Sequence, residues 1–178
     1  MPVLPTARHD AQTAAIVRAA AGELARLLPS AVTLEVAEPQ PSTLPGPQSV
    51  AVRAGFVGTT SAELIVVADQ AVAEALAGTD ATISVADALR PALEAASATL
   101  GPGVLDEAHE APLGAALEES DVVTMALVGP DGAAQAWFAM RVRQRPEAVP
   151  QQRGAAAERS PLRLLHDVEM TLTAEIGR

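Results

Sequence analysis

Apolar positions recur with a helical period over residues 10–28, where Ile16, Ala20, Leu24 and Leu27/Leu28 form one stripe and Arg18 and Arg26 lie off it. Pro29-Ser30 ends that helix. Across Ala31–Ala37 the period drops to two, with Val32, Leu34 and Val36 on one side, the pattern of a strand. The next segment, Glu38–Pro47, is too dense in proline for regular structure. Val50–Val57 and Ala62–Ala68 are strand-like and flank a hairpin turn at Gly58-Thr-Thr-Ser61. Asp69–Leu76 reads as a short helix stopped at Gly78. A second long helix starts at Ser84 or Asp87 and runs to Leu100. Pro91 favours Asp87 as its N-cap, because the proline then falls in the first turns, where it costs least. Gly101-Pro-Gly103 stops it. Val122–Val128 and Ala133–Val142 form a second hairpin around Gly129-Pro-Asp-Gly132, with Ala134, Ala136, Phe138 and Met140 inward and Gln135, Arg141 and Arg143 outward.

The rest of the chain differs in kind. Gln144–Ser160 is rich in Gln, Pro, Glu and Arg without periodicity, a linker composition. From Val168 the alternation is strict: Val168, Met170, Leu172, Ala174 and Ile176 on one side, Glu169, Thr171, Thr173 and Glu175 on the other. A lone strand cannot bury its apolar face. This one runs to Arg178 without a terminal cap, so the expectation is a truncated chain whose partner strands lie beyond it.

The first two-thirds of the chain repeats itself. Residues 14–32 slide onto 86–104 at an offset of 72, pairing Arg18 with Arg90 and Leu28 with Leu100, and Phe56-Val-Gly58 matches Leu127-Val-Gly129 at 71. Two helix-plus-strands halves related by a pseudo-two-fold predict an α/β domain, α+β in the stricter sense, with one sheet and both long helices on one face. The expected organisation is a domain at 8–145, a linker at 146–160 and the start of another domain at 161–178.

Composition narrows the chemistry. A formal charge of −10 works against nucleic acid and anionic membrane surfaces as partners. No apolar run approaches the ~18 residues needed to span a bilayer, and the first thirty residues lack the pattern of a signal peptide, so the expected location is the cytoplasm. Without cysteine there are no disulfides, thiolate metal sites or thiol nucleophiles. Without lysine there is no P-loop lysine, Schiff base or Ser-Lys mechanism. Asparagine and tyrosine are also absent, and Phe56, Trp137 and Phe138 are the only aromatic residues, so aliphatic side chains and close-packed alanine must supply the core.

The C-terminal residues Leu164, Leu165, Asp167, Val168, Glu175, Ile176, Gly177 and Arg178 resemble the opening of the surface-presentation-type domain of the flagellar motor switch proteins FliN and FliY. In that family a Leu-Leu-x-Asp-Val lead-in precedes an alternating strand ending in Glu-(Leu/Ile)-Gly-Arg. The duplicated unit ahead of it is similar to the CheC-type fold found in FliY and in the middle domain of FliM. The resemblance implies a flagellar switch component at the cytoplasmic face of the basal body, peripheral to the inner membrane. Such a component works through homo-oligomers and contacts with other switch proteins, without cofactor or metal.

CheC-like proteins dephosphorylate the chemotaxis response regulator CheY with a Glu-x-x-Asn pair on each long helix. The carboxylate grips the regulator and the amide positions the attacking water, a task for a group that both donates and accepts hydrogen bonds. A chain without asparagine cannot carry that pair. Anchored on Leu24–Leu28, the first helix puts Ala11 and Ala14 at its positions, and the second helix offers only the remnant Glu94-Ala-Ala-Ser97. The reading is therefore no enzyme. Met1–Asp10 does not resemble the family's CheY-binding peptide, leaving the response regulator as a candidate partner only through the domain itself.

Other clusters carry less. Asp106, Glu107, His109 and Glu110 offer carboxylates beside an imidazole, but their spacing fits no metal motif and reads as a polar loop. Glu118-Glu119-Ser120-Asp121 reads as a solvated turn. His166 and Asp167 lack an activated nucleophile. Phe56 and Phe138 belong to inward strand faces, whereas Trp137 points the other way, under a covering element or at a partner surface. Competing readings are a divergent CheC-like phosphatase, a scaffold of a type III secretion sorting platform, and a small-molecule-binding domain on the same fold.

Overall fold

A computed structural model of the chain describes residues 6–77 and 84–143. The chain divides into two units at Arg145/Pro146, and all described residues belong to the first. The linker assigned to 146–160, the terminal strand within 161–178 and the helix stop at Gly78 lie outside the described residues.

Helix α1 (Thr6–Leu27) buries Val17, Ala20, Ala21 and Leu24, and Leu28 follows them into the core. Leu27, placed in the same stripe by its sequence spacing, is 52% exposed. Helix α2 (Gln70–Ala77) is capped by Asp69, whose Oδ1 accepts a hydrogen bond from the Val72 amide at 3.0 Å. Helix α3 (Val85–Ala98) corrects the sequence reading of its start. Ser84, not Asp87, is the N-cap: the Asp87 amide donates to Ser84 Oγ at 3.0 Å, and that hydroxyl in turn donates to Asp87 Oδ2 at 2.8 Å. The added turn packs, since Ala86 within it is buried. Pro91 then lies beyond the first turn, where it cannot donate to the Asp87 carbonyl.

Among the described residues seven strands form one antiparallel sheet: β1 (Glu35–Ala37), β2 (Val50–Gly58), β3 (Ser61–Ala68), β4 (Gly103–Leu105), β5 (His109–Pro112), β6 (Val122–Val128) and β7 (Ala134–Arg143). The spatial order is β1-β6-β7-β3-β2-β4, with β5 also on β2. Exchanging β1 with β4, β2 with β6 and β3 with β7 returns the same order reversed. Each edge strand therefore pairs with the hairpin of the other half: β1 on β6 and β4 on β2. At the centre Val66 lies opposite Phe138, and Phe138 is the residue 72 positions after Val66. The offset seen in the sequence is thus the separation of residues that face each other across the pseudo-dyad.

The helices obey the same offset. Moving the buried positions of α1 and its C-terminus by 72 gives Leu89, Ala92, Leu93, Ala96 and Leu100, all buried, and α3 adds Ala86 and Ser97. These stripes pack on Val52, Ala54, Phe56, Leu64, Val66, Met125, Leu127, Phe138 and Met140. Gly103 and Gly58 sit opposite each other between β4 and β2, and a Cβ at Gly103 would fall 2.7 Å from the Val57 carbonyl, so the edge strand closes on β2 only through glycine. A register shift after Leu127 leaves Gln135 outside the ladder; its carbonyl accepts from the Asp69 amide at 2.8 Å and its side chain from Ser30 Oγ at 3.0 Å.

Two expectations are corrected here. Ala31–Ala37 is a strand only over Glu35–Ala37, and Val32 is exposed because residues 31–34 turn the chain from α1 into the edge. The residues around the polar loop expected at Asp106–Glu110 supply β4 and β5, because β2 has a free edge whose backbone groups need partners. The ring of Pro91 occupies an exposed helical position where its mate on α1 is Ala19. Pro91→Ala is expected to restore the missing hydrogen bond and raise stability by about 1–3 kcal/mol, read as a higher urea midpoint at unchanged slope.

Candidate functional site

The helix pair is where the sequence places the chemistry, and the structure puts little there. On α1, Ala11 is exposed and Ala14 half-buried. Their mates on α3 at the offset of 72 are Ile83, outside the described residues, and Ala86, which is buried. Glu94 and Ser97 correspond instead to Gly22 and Ala25, so the remnant on α3 is out of step with the alanine pair on α1 by about three helical turns. Glu94 is exposed and accepts from Arg90 Nε at 3.0 Å, an i,i+4 surface pair. Ser97 is buried, and its hydroxyl donates to the Glu94 carbonyl of its own helix at 2.9 Å. That hydroxyl spends its donor on the backbone of its own helix. The family-motif residues Leu164, Leu165, Asp167, Val168, Glu175, Ile176, Gly177 and Arg178, with His166, lie outside the described residues.

The opposite face of the sheet holds what the sequence reading missed. Ala51, Ile65, Val67 and Ala139 form a second apolar cluster, closed by Leu113 and Ala116 and flanked by Leu117, Val122 and Trp137. The segment Leu113–Asp121, with a 3-10 turn at Ala116–Glu118, lies over this face as a strap. Trp137 therefore packs beneath a covering element. Its Nε1, like Thr124 Oγ1, is buried without a hydrogen-bond partner among the described residues.

Beside that cluster runs a chain of charges. Glu63 bridges two arginines, receiving Arg53 Nη1 on Oε1 at 3.0 Å and Arg141 Nη1 on Oε2 at 3.0 Å. Arg53 Nη2 donates to the Leu113 carbonyl at 2.8 Å. Arg141 also pairs with Glu119 through Nη2, and its Nε lies 3.0 Å from Asp121 Oδ2 in an ion pair that misses hydrogen-bond direction. The Arg141 side chain is only 13% exposed. Burial pulls its pKa down, but the Glu119 hydrogen bond and the charges of Asp121, Glu119 and Glu63 outweigh it and hold the guanidinium above the ordinary arginine value. Two expectations fall with this. Arg141 does not point into solvent, and the 118–121 turn is not merely solvated, because Glu119 and Asp121 are partners of Arg141. The signal was present in the sequence: Arg53, Glu63 and Arg141 each break an apolar strand.

Open concavities also lie among the described residues. One of about 490 Å³ is lined by Arg53, Glu63, Asp106, His109 and Arg143. Asp106 reaches it because Gly55 has no Cβ, which would sit 2.7 Å from Asp106 Oδ2. Another of about 440 Å³ lies between α3 and β4, with Glu94 and Ser97 on its wall. Its counterpart at the offset of 72, about 550 Å³, lies at the end of α1. Among the described residues no three His, Asp or Glu side chains gather so as to hold a metal ion, Asp106, Glu107, His109 and Glu110 included. No described helix is long and apolar enough to cross a membrane.

No protein-family model matches the chain, and no curated protein sequence does. Solved structures similar to it are CheX and CheC-like proteins. A chain of the CheX–CheY–BeF3–Mg2+ complex from Borrelia burgdorferi is 17% identical, with 72% of this chain and 95% of that one covered at a TM-score of 0.46. CheX from Vibrio vulnificus is 14% identical over 72% and 96%, at 0.49. A CheC-like superfamily protein from Shewanella sp. PV-4 is 12% identical over 72% and 97%, also at 0.49. What this chain does has to rest on its own residues.

Those residues divide sharply by cost. Glu94→Ala removes an exposed pair and is expected to change stability by less than about 0.5 kcal/mol. Glu63→Gln leaves two largely covered guanidinium groups short of their shared carboxylate and is expected to cost about 1–3 kcal/mol. Parallel urea titrations of the two variants check the contrast.

Proposed function

We propose that the chain is a chemotaxis-related protein-binding module on a CheC-like duplicated scaffold, working in the flagellar motor switch by assembly rather than by bond chemistry. The supporting observation is the state of the helix pair. Where the CheC-type resemblance requires a carboxylate and an amide, α1 carries Ala11 and Ala14 and α3 carries Ala86, and the chain contains no asparagine to serve from elsewhere. A methyl group can neither grip a charged side chain nor orient a water. What the duplication leaves is a two-helix face and the two edges of the sheet, surfaces suited to packing against other copies and other switch proteins. The FliN-type resemblance of the C-terminal residues supports placing that assembly at the cytoplasmic face of the basal body. A type III secretion sorting platform would use the same scaffold for another client.

A second reading keeps one observation of its own. Glu94 is exposed on the wall of an open groove with Ser97 beside it, so a divergent phosphatase acting on the phosphorylated response regulator has a carboxylate to use. The two readings separate in one assay. Phosphorylated CheY is mixed with the full chain, and its decay is followed with and without Glu94→Ala. The assembly reading expects decay within about twofold of the spontaneous rate for both proteins. An acceleration of about tenfold or more that Glu94→Ala removes would replace that reading with the enzymatic one.

A further inference from the structure

We infer that the strap Leu113–Asp121 is an electrostatic latch, a separately opening cover over the second apolar face of the sheet, held shut by Arg53 and Arg141. The strap has few apolar anchors: Leu113 and Ala116 are buried and Leu117 is half-buried, while Gly114, Ala115, Glu118, Glu119, Ser120 and Asp121 are exposed. Its polar attachments lie at its two ends. At the start, Arg53 holds the Leu113 carbonyl, and the Leu113 and Gly114 amides donate to the Ser49 and Pro47 carbonyls at 2.8 and 2.9 Å. At the end, Glu119 and Asp121 both pair with Arg141. Glu63 joins the two arginines and so couples the two ends.

The duplicated half supplies an internal control. Moved by 72, the strap becomes residues 41–49, a segment with the same place between edge strand and hairpin and its own 3-10 turn at Pro41–Thr43. That segment contains no charged residue, and Leu44, the mate of Ala116, is 36% exposed. Leu44 is thus more exposed than its mate Ala116. The two copies differ in charge and also in apolar anchors, because the mates of Leu113 and Leu117 are Pro41 and Pro45. Glu119 and Asp121 are 50% and 61% exposed, so salt can screen the distal clasp while the guanidinium itself stays covered. The orphaned Trp137 Nε1 and Thr124 Oγ1 beside the cluster lower the cost of opening, because they lose no partner when water enters.

The experiment uses the full chain, with hydrogen exchange read at the Gly114, Glu118 and Val122 amides. Emission of Trp137, the single tryptophan, is followed alongside. Raising salt from about 0.02 to 0.5 M is expected to speed exchange at these amides about fivefold or more and to shift Trp137 emission to the red. The central amides of β3 and β7 should keep their protection. Arg141→Gln is expected to show the open behaviour already at low salt and to lose the salt response. Should that variant fail to fold, Asp121→Asn and the wild-type salt series give the same readout. Unchanged strap exchange, or a change occurring only in step with the β3 and β7 amides, overturns the latch.

Discussion

Everything in the described unit depends on the antiparallel pairing of β3 with β7. Val66 and Phe138 face each other there and are equivalents in the two halves of the sequence. Once two copies of a hairpin join through their last strands about that point, the rest follows. Each first strand, β2 or β6, acquires an outer edge, and each edge takes the short strand of the other half. The halves are thereby interlocked, since neither can complete its own edge. Both long helices land on the same face, and their buried stripes coincide at one offset because both meet equivalent strand residues. Phe138, fully buried beneath that helix pair, joins Phe56 as the largest side chains in a core otherwise made of Leu, Val, Met and Ala.

Pseudo-symmetry stops at the other face, and charge marks where it stops. One half carries a strap clasped by arginines and the other the uncharged stretch 41–49. The chemistry suits arginine alone. Arg141 addresses Glu63, Glu119 and Asp121 with three different nitrogens of one planar group, which a single ammonium could not do. In a chain of net charge −10 without lysine, the few arginines in the fold organise carboxylates that would otherwise repel one another.

The sequence made the helices, both hairpins and the repeat legible, because each depends on local periodicity that the packing keeps. The strands along the outer edge of β2 were hidden. β4 and β5 are short and studded with glycine, proline and charge, and they exist because a neighbouring strand needs partners, which no local pattern reveals. The start of α3 was misplaced because Pro91 argued for Asp87, whereas burial of Ala86 and the Ser84 hydroxyl outweighed the proline. At the candidate site, composition identified the missing amide, since no fold can supply an asparagine the chain lacks. The repeat offset already set Glu94-Ser97 out of step with the α1 alanines, and the burial stripes keep that offset. The Arg53–Glu63–Arg141 chain joins residues far apart in sequence, and alternation alone assigned Arg141 to solvent because the strap above it carries no periodic signal.

The central claim is that two interlocked copies around β3 and β7 form one cooperative scaffold with α1 and α3 equivalent upon it. Native-state hydrogen exchange along a urea series tests this most directly, read at the central amides of α1, α3, β3 and β7. The account predicts that all four sets converge on one opening free energy and one urea dependence. If α1 with β3 opened at lower urea than α3 with β7, or the reverse, the halves would be separate units and the account would be contradicted.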